Sequence, residues 1–126
     1  MTHGRAYAAY IALNQIRNIV KGMDALHVFH MKNVLKESVE FMGEEETKLV
    51  EAAGGKILEN GMVVIADPEK QKEFMAERKK LDDLPLQVIP EPIRIAISRC
   101  PDVTAEQIEM LDGFVIFEED EENGNK

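Results

Sequence analysis

The sequence has too few cysteines for a disulfide-stabilised protein, and it has no long apolar segment. Its 126 residues include no tryptophan, one cysteine, two tyrosines and five phenylalanines. The single cysteine, Cys100, excludes an intramolecular disulfide framework and favours a reducing compartment. The longest unbroken apolar run, 6–13, is far shorter than the roughly 20 residues that cross a bilayer, and no secretory leader pattern follows Met1. We therefore expect a soluble, cytoplasmic protein.

The charge is acidic overall and unevenly distributed along the chain. There are 15 Lys and Arg against 24 Asp and Glu, a net charge of -9. Residues 1–36 carry a net +4, residues 37–59 a net -5, and residues 101–126 a net -8. This acidity argues against direct nucleic-acid binding, which depends on Lys and Arg at phosphates. The basic N-terminal part and the acidic C-terminal part could pair with each other within one copy or head to tail between copies.

Two helices are predicted in the first half of the chain. The first extends over 6–20, and a second extends from Ala25 to about Ala53, with Asp24 as its N-cap. Gly22 is expected to end or kink the first helix, and Gly43 is a candidate break in the second. The second helix carries an apolar stripe at seven-residue intervals. Its members are Val28, Leu35, Met42 and Leu49, with Met31, Val34 and Phe41 beside them.

This stripe is longer than the first helix can cover in an antiparallel hairpin. A helix of about 15 residues reaches only half of it. The remainder needs another element of the chain or another copy. The sequence alone leaves both alternatives open.

The second half of the chain predicts short strands and two more helices. Gly54 and Gly55 end the long helix, and Asn60-Gly61 predicts a two-residue type I′ hairpin turn. Further elements are a third helix from Asp67-Pro68 to about Leu81, short extended segments at 86–89 and 93–97, a helix opened by a capping box at 104–107, and a strand or docking tail at 114–117. The fold class is α+β, mainly α, with a single domain over 1–117 and an acidic disordered tail over 118–126.

No residue pattern predicts catalysis or a bound metal. His27 and His30 lie three apart with Asp24 one turn before them, but a zinc site needs further ligands. Cys100 precedes a proline at a strand end and is interpreted as a small packed residue. Glu44, Glu45 and Glu46 point in different directions around a helix, which suits solvation. Since no glycine-rich phosphate loop is present either, we predict no enzyme, no cofactor and no metal.

The layout of the elements resembles a family of small, functionally uncharacterised proteins encoded by bacteriophages and prophages of Gram-positive bacteria. The resemblance covers most of the chain, through segments of low individual specificity. These are 12–16 (ALNQI), the Lys/Glu-rich helix ending at 48–51 (KLVE), the hairpin at 54–61 (GGKILENG), 74–81, 93–97 and 104–114 (TAEQIEMLDGF). The resemblance implies a phage gene product without known enzymatic activity, and it carries no functional residues to this sequence.

We therefore expect a protein that acts by protein–protein interaction, with itself or with another phage or host protein, in the host cytoplasm or in the virion. The predicted interaction residues are Val28, Met31, Leu35, Met42 and Leu49, because their stripe is too long for one copy to cover. The seven methionines fill a core or line an adaptable groove. The alternative is an acidic, nucleic-acid-mimicking inhibitor of a host nuclease or defence protein, acting through 37–51 and the acidic tail.

Overall fold

The computed structural model describes residues 1–119 and confirms a mainly helical α+β fold. The elements are α1 (His3–Ile16), α2 (Gly22–Ala52), β1 (Lys56–Ile57), β2 (Val63–Val64), α3 (Pro68–Asp83), β3 (Ile93–Ala96), a 3-10 turn (Ile97–Arg99), α4 (Ala105–Met110) and β4 (Val115–Glu118). One core cluster contains residues from Ala6 to Val115. Most of the predicted tail, residues 120–126, lies outside the described residues, and Glu118 is the last residue of β4.

The central element is α2, a continuous helix of 31 residues and about 46 Å. It passes through Gly43 without a break, so the candidate break there is wrong. It begins at Gly22, whose φ of +58° is accessible to glycine without steric cost. Accordingly α1 ends at Ile16, and Gly22 opens the second helix instead of ending the first. At the other end, Gly54 has a φ of +70° and closes α2 as predicted.

Two helices of the same chain cover the apolar stripe of α2. Helix α1 runs antiparallel along its first half, where His3 hydrogen-bonds Ser38 at 2.6 Å and the Lys32 ammonium lies 5.7 Å from the centre of the Tyr10 ring. His3 is therefore a fixed residue at the start of α1. Helix α3 contacts the second half of α2. The remainder of the stripe is thus covered from within the chain.

The N-terminus of α1 meets the C-terminus of α3, so the two helices lie end to end along α2. The His3 amide donates to the Leu84 carbonyl at 2.8 Å, and the Leu86 amide donates to the Met1 carbonyl at 3.1 Å. The first bond satisfies the amide of the first residue of α1 with a carbonyl just beyond the end of α3, and the second joins the segments that flank the two helices. The junction fixes α1 and α3 in one line.

Helix α3 is held mainly by polar contacts. None of its residues, all of which the structure describes, is fully buried. The Arg78 guanidinium donates to Glu46 of α2 at 2.7 Å and also pairs with Asp82. The predicted N-cap Asp67 is confirmed, since its side chain accepts from the Glu69 amide at 2.9 Å. Met75 of this helix is exposed.

The predicted β-hairpin is present, but its turn differs from the prediction. Ile57 pairs with Val63, so five residues connect the strands instead of two. Among the five connecting residues, 58–62, only Gly61 has a positive φ, +86°, whereas a type I′ turn would also need a positive φ at Asn60. The Asn60 side chain instead accepts from the Met62 amide at 3.0 Å. The local hydrogen bond of Asn60 is compatible with a longer loop closed by a glycine.

The C-terminal part forms a parallel strand pair. β3 lies beside β4, with Ile93 opposite Val115 and Ala96 opposite Glu118. The connection between them contains α4, whose predicted capping box is present: Thr104 accepts from the Gln107 amide, and the Gln107 side chain accepts from the Thr104 amide. Within the described residues 1–119, no strand forms at 86–89, where the neighbouring prolines lack the amide hydrogens that a ladder needs.

Candidate interaction surface

The predicted interaction residues are core residues. Val28, Met31, Leu35 and Met42 are between 1% and 4% exposed, and Leu49 is half-buried against α3. The structure therefore corrects their assignment as a surface for another copy. The heptad pattern correctly indicated a stripe that packs against helices. It could not show that α3, distant in sequence, covers the half that α1 leaves open.

A second apolar surface lies on the opposite, outward side of α2. Four large apolar side chains are substantially exposed there: Met23 (63%), Leu26 (42%), Phe29 (57%) and Val34 (52%). With the exposed His30 and Asn33 they recur at spacings of three and four, which places them on one side of the helix. We name these six residues the outer patch. Contiguous exposed apolar patches of this kind mark interaction sites in soluble proteins.

The outer patch was visible in the sequence, but it was assigned to other features. Val34 lies beside the heptad stripe in the sequence, so spacing alone groups it with the side that is buried. A clearer signal was the charge pattern. No acidic residue occurs between Ala25 and Lys36, although the same helix carries six acids between Glu37 and Glu51.

Opposite charges lie at the two ends of the outer patch. Arg17 and Lys21 are exposed just before it, and Lys21 is the N-cap of α2. Glu37, Glu40 and Glu44 are exposed beyond its other end. Because their spacings of three and four match the helical repeat, the three carboxylates share the outward side of α2 with the patch.

Asp24 is a buried ion-pair partner, and Lys21 takes the N-cap position that the sequence assigned to Asp24. Its carboxylate is 7% exposed and accepts from Arg99 twice, from Nε at 2.8 Å and from Nη2 at 3.3 Å. The position in the first turn of α2 also favours a negative charge. The pair links the start of α2 to the end of the 3-10 turn.

The histidines of α2 do not complete a metal site. His30 is exposed, with its ring 5.9 Å from that of Phe29, and His27 is half-buried. Within residues 1–119, no three His, Cys, Asp or Glu side chains come together in a way that could hold a metal ion. In the same range, no helix is long and apolar enough to cross a membrane.

Cys100 is a fully buried packing residue, as interpreted from the sequence. Burial raises the pKa of its thiol, and the negative charges of Asp24 and Asp102 raise it further. Since the thiolate is the reactive form, these surroundings keep the sulfur in its unreactive state.

Two shallow clefts flank α3, and their charged groups are largely paired with each other. The smaller, about 200 Å³, lies between α2 and α3. At its edge, the hydrogen bond that Lys48 donates to Glu45 and the negative charge of Glu45 raise the pKa of Lys48, and Lys80 pairs with Glu77 at 2.9 Å. The larger, about 420 Å³, lies between α1 and α3, where Arg78 and Asp82 pair. Such mutually satisfied ions suit structural contacts better than proton transfer.

No family model, no curated protein and no solved structure matches this chain. The resemblance to phage and prophage proteins therefore stays a prediction. The outer patch and the charges at its ends are the features of the described residues that favour binding to another protein.

Proposed function

We propose that this chain is a non-enzymatic phage or prophage protein that acts by protein–protein binding and associates with itself through the outer patch. The supporting observation is a single helical face with four large apolar side chains that are 42% to 63% exposed. The buried side of the same helix is already satisfied by α1 and α3. The protein would act in the host cytoplasm or as a component of the virion.

The energetics favour a weak, reversible association. Covering the remaining exposed part of a half-exposed Met, Leu, Phe or Val contributes about 1 kcal/mol. Four such side chains on each of two copies therefore contribute about 8 kcal/mol, which is comparable to the 4–15 kcal/mol of lost translational and rotational freedom. The apolar contribution alone gives at most a weak dimer, so the flanking charges should have a measurable influence on its affinity.

Static light scattering across a concentration series tests this proposal. We expect the wild-type chain to shift from monomer towards dimer as its concentration approaches about 1 mM, since a net gain of about 4 kcal/mol corresponds to a Kd of about 1 mM, and Phe29→Glu to remain monomeric while folded. Met75→Glu is the matched control, because Met75 is 64% exposed on α3 and lies outside the patch. A wild-type monomer at about 1 mM would refute self-association. Equal dimerisation of the Phe29→Glu chain would refute the surface.

The inhibitor alternative is supported by a different part of α2. Glu44 and Glu51 are exposed and lie one heptad apart, so they extend the acidic outward side beyond Glu40. Glu45 and Glu46 fit this role less well, since Lys48 and Arg78 already pair with them. If the chain inhibits a basic nuclease, Glu44→Lys with Glu51→Lys should abolish inhibition and leave self-association unchanged. Unchanged inhibition by that variant would contradict mimicry.

A further inference from the structure

We infer that two copies pair through their α2 helices in an antiparallel arrangement, with the two-fold axis near His30. This inference rests on the proposed self-association and specifies its geometry. The occupant of the outer patch is thus a second copy of this chain. The order of charges along α2 and the two-fold symmetry of a closed dimer together favour this arrangement.

The outward side of α2 has three successive zones. Lys21, the exposed N-cap residue, lies before the patch, the apolar side chains follow, and Glu37 and Glu40 lie after it. His30 is midway between Leu26 and Val34, and nearly midway between Lys21 and Glu40. The outward side of α2 is therefore basic before the patch, apolar around His30 and acidic after the patch.

Antiparallel pairing makes these zones self-complementary. In a two-fold interface, if one residue contacts a second on the partner, the second contacts the first in return. An axis at His30 places Leu26 opposite the partner's Val34 and Lys21 beside the partner's Glu40, and each contact occurs twice. The apolar zones overlap from Leu26 to Val34 and Glu40 lies beside the partner's Lys21, while Glu37 faces the partner's Met23.

Parallel pairing of the same helices would place like charges together. Glu37 and Glu40 would each lie beside their own equivalents on the partner, and so would Lys21. Like-charge contacts across an interface are destabilising and discriminate against that arrangement. Since the apolar contribution only approaches the cost of association, the charge order should decide the orientation.

Distance measurement between spin labels on Glu44→Cys tests the orientation. Glu44 is 14 residues from His30, so its equivalents should be about 42 Å apart in an antiparallel pair and about 10 Å apart in a parallel one. Cys100, the only native cysteine, is buried, and the unsubstituted chain treated with the label is the control. A long distance supports the inference. A short distance in a dimer would overturn it while self-association stands, whereas a monomer would overturn the proposed function itself.

A charge exchange gives an independent test. Lys21→Glu and Glu40→Lys should each weaken dimerisation several-fold, and the double variant should recover most of the loss because the pairs are restored with reversed sign. Lys70→Glu on α3, an exposed lysine away from α2's outward side, is the control and should have little effect. Further weakening in the double variant, or equal weakening by the control, would overturn the antiparallel pairing of these charges.

Discussion

Gly4 of α1 lies so close to Asp82 of α3 that a Cβ at residue 4 would be 2.9 Å from the Asp82 Cβ and 3.0 Å from the Asp82 carbonyl oxygen. This contact occurs where the two helices meet end to end. The absence of a side chain at Gly4 therefore allows α1 and α3 together to cover the stripe of α2.

Substituting alanine at two helical glycines should have opposite effects. Gly4→Ala should destabilise the fold by about 1–3 kcal/mol, because the backbone at Asp82 must move. Gly43→Ala should stabilise it by about 0.5–1 kcal/mol, since the new Cβ would have no heavy atom within 4 Å apart from its chain neighbours and the adjacent helix backbone, and alanine is the better helix former. Urea unfolding of both variants measures the difference. Equal effects would contradict the close junction.

Arg78→Gln should loosen α3 locally while the core stays folded. Partial burial lowers the pKa of the Arg78 guanidinium, but its bonds to Glu46 and Asp82 outweigh this and raise it. Losing these two bonds should lower the free energy of opening α3 by about 1–2 kcal/mol. Amide hydrogen exchange over 68–83 should accelerate in Arg78→Gln. Lys79→Gln, which removes only an exposed pair with Asp83, is the control and should change little. Unchanged exchange in both variants would show that apolar contacts alone hold α3.

The thiol of Cys100 should be unreactive in the folded chain, and its raised pKa should make the folded state less stable at high pH. Its pKa is raised in the folded state, so the unfolded chain loses the thiol proton first as the pH rises. The contribution of the thiol to stability is complete below the ordinary thiol pKa and is lost as the pH rises through the folded value. Urea unfolding of wild type and Cys100→Ala should diverge in this direction above the ordinary thiol pKa. A thiol reagent should modify wild type quickly only in denaturant, and rapid labelling without denaturant would contradict the burial.

The local parts of the fold were predictable because their signals act over a few residues. The capping box at Thr104 and Gln107 and the N-cap at Asp67 depend only on near neighbours, and both are present. For Asp24 the local signal predicts the wrong role. A helix-start aspartate is a natural N-cap, but its partner Arg99 is 75 residues away in sequence. That partner depends on the tertiary fold, which a short sequence window does not describe.

The interaction surface was misassigned for the same reason. The apolar positions of α2 form two sides, and periodicity gives the spacing of each without showing which side the rest of the chain covers. The heptad containing Leu35 was correctly recognised as a packing stripe. The stripe is internal because α1 and α3 meet end to end and together cover it. Their junction depends on contacts between distant segments, such as His3 with Leu84.

A charge placed on each side of α2 should separate packing from association. Leu35 is 2% exposed, so Leu35→Glu should unfold the chain or destabilise it by at least about 3 kcal/mol, because a carboxylate would be buried without a partner. Met23 is mostly exposed, so Met23→Glu should leave the unfolding free energy nearly unchanged while weakening the dimer. Circular dichroism with urea gives the stability, and light scattering on the folded fraction gives the association state. A folded, monomeric Leu35→Glu chain beside a fully dimeric Met23→Glu chain would mean that the heptad side, not the outer patch, joins the two copies.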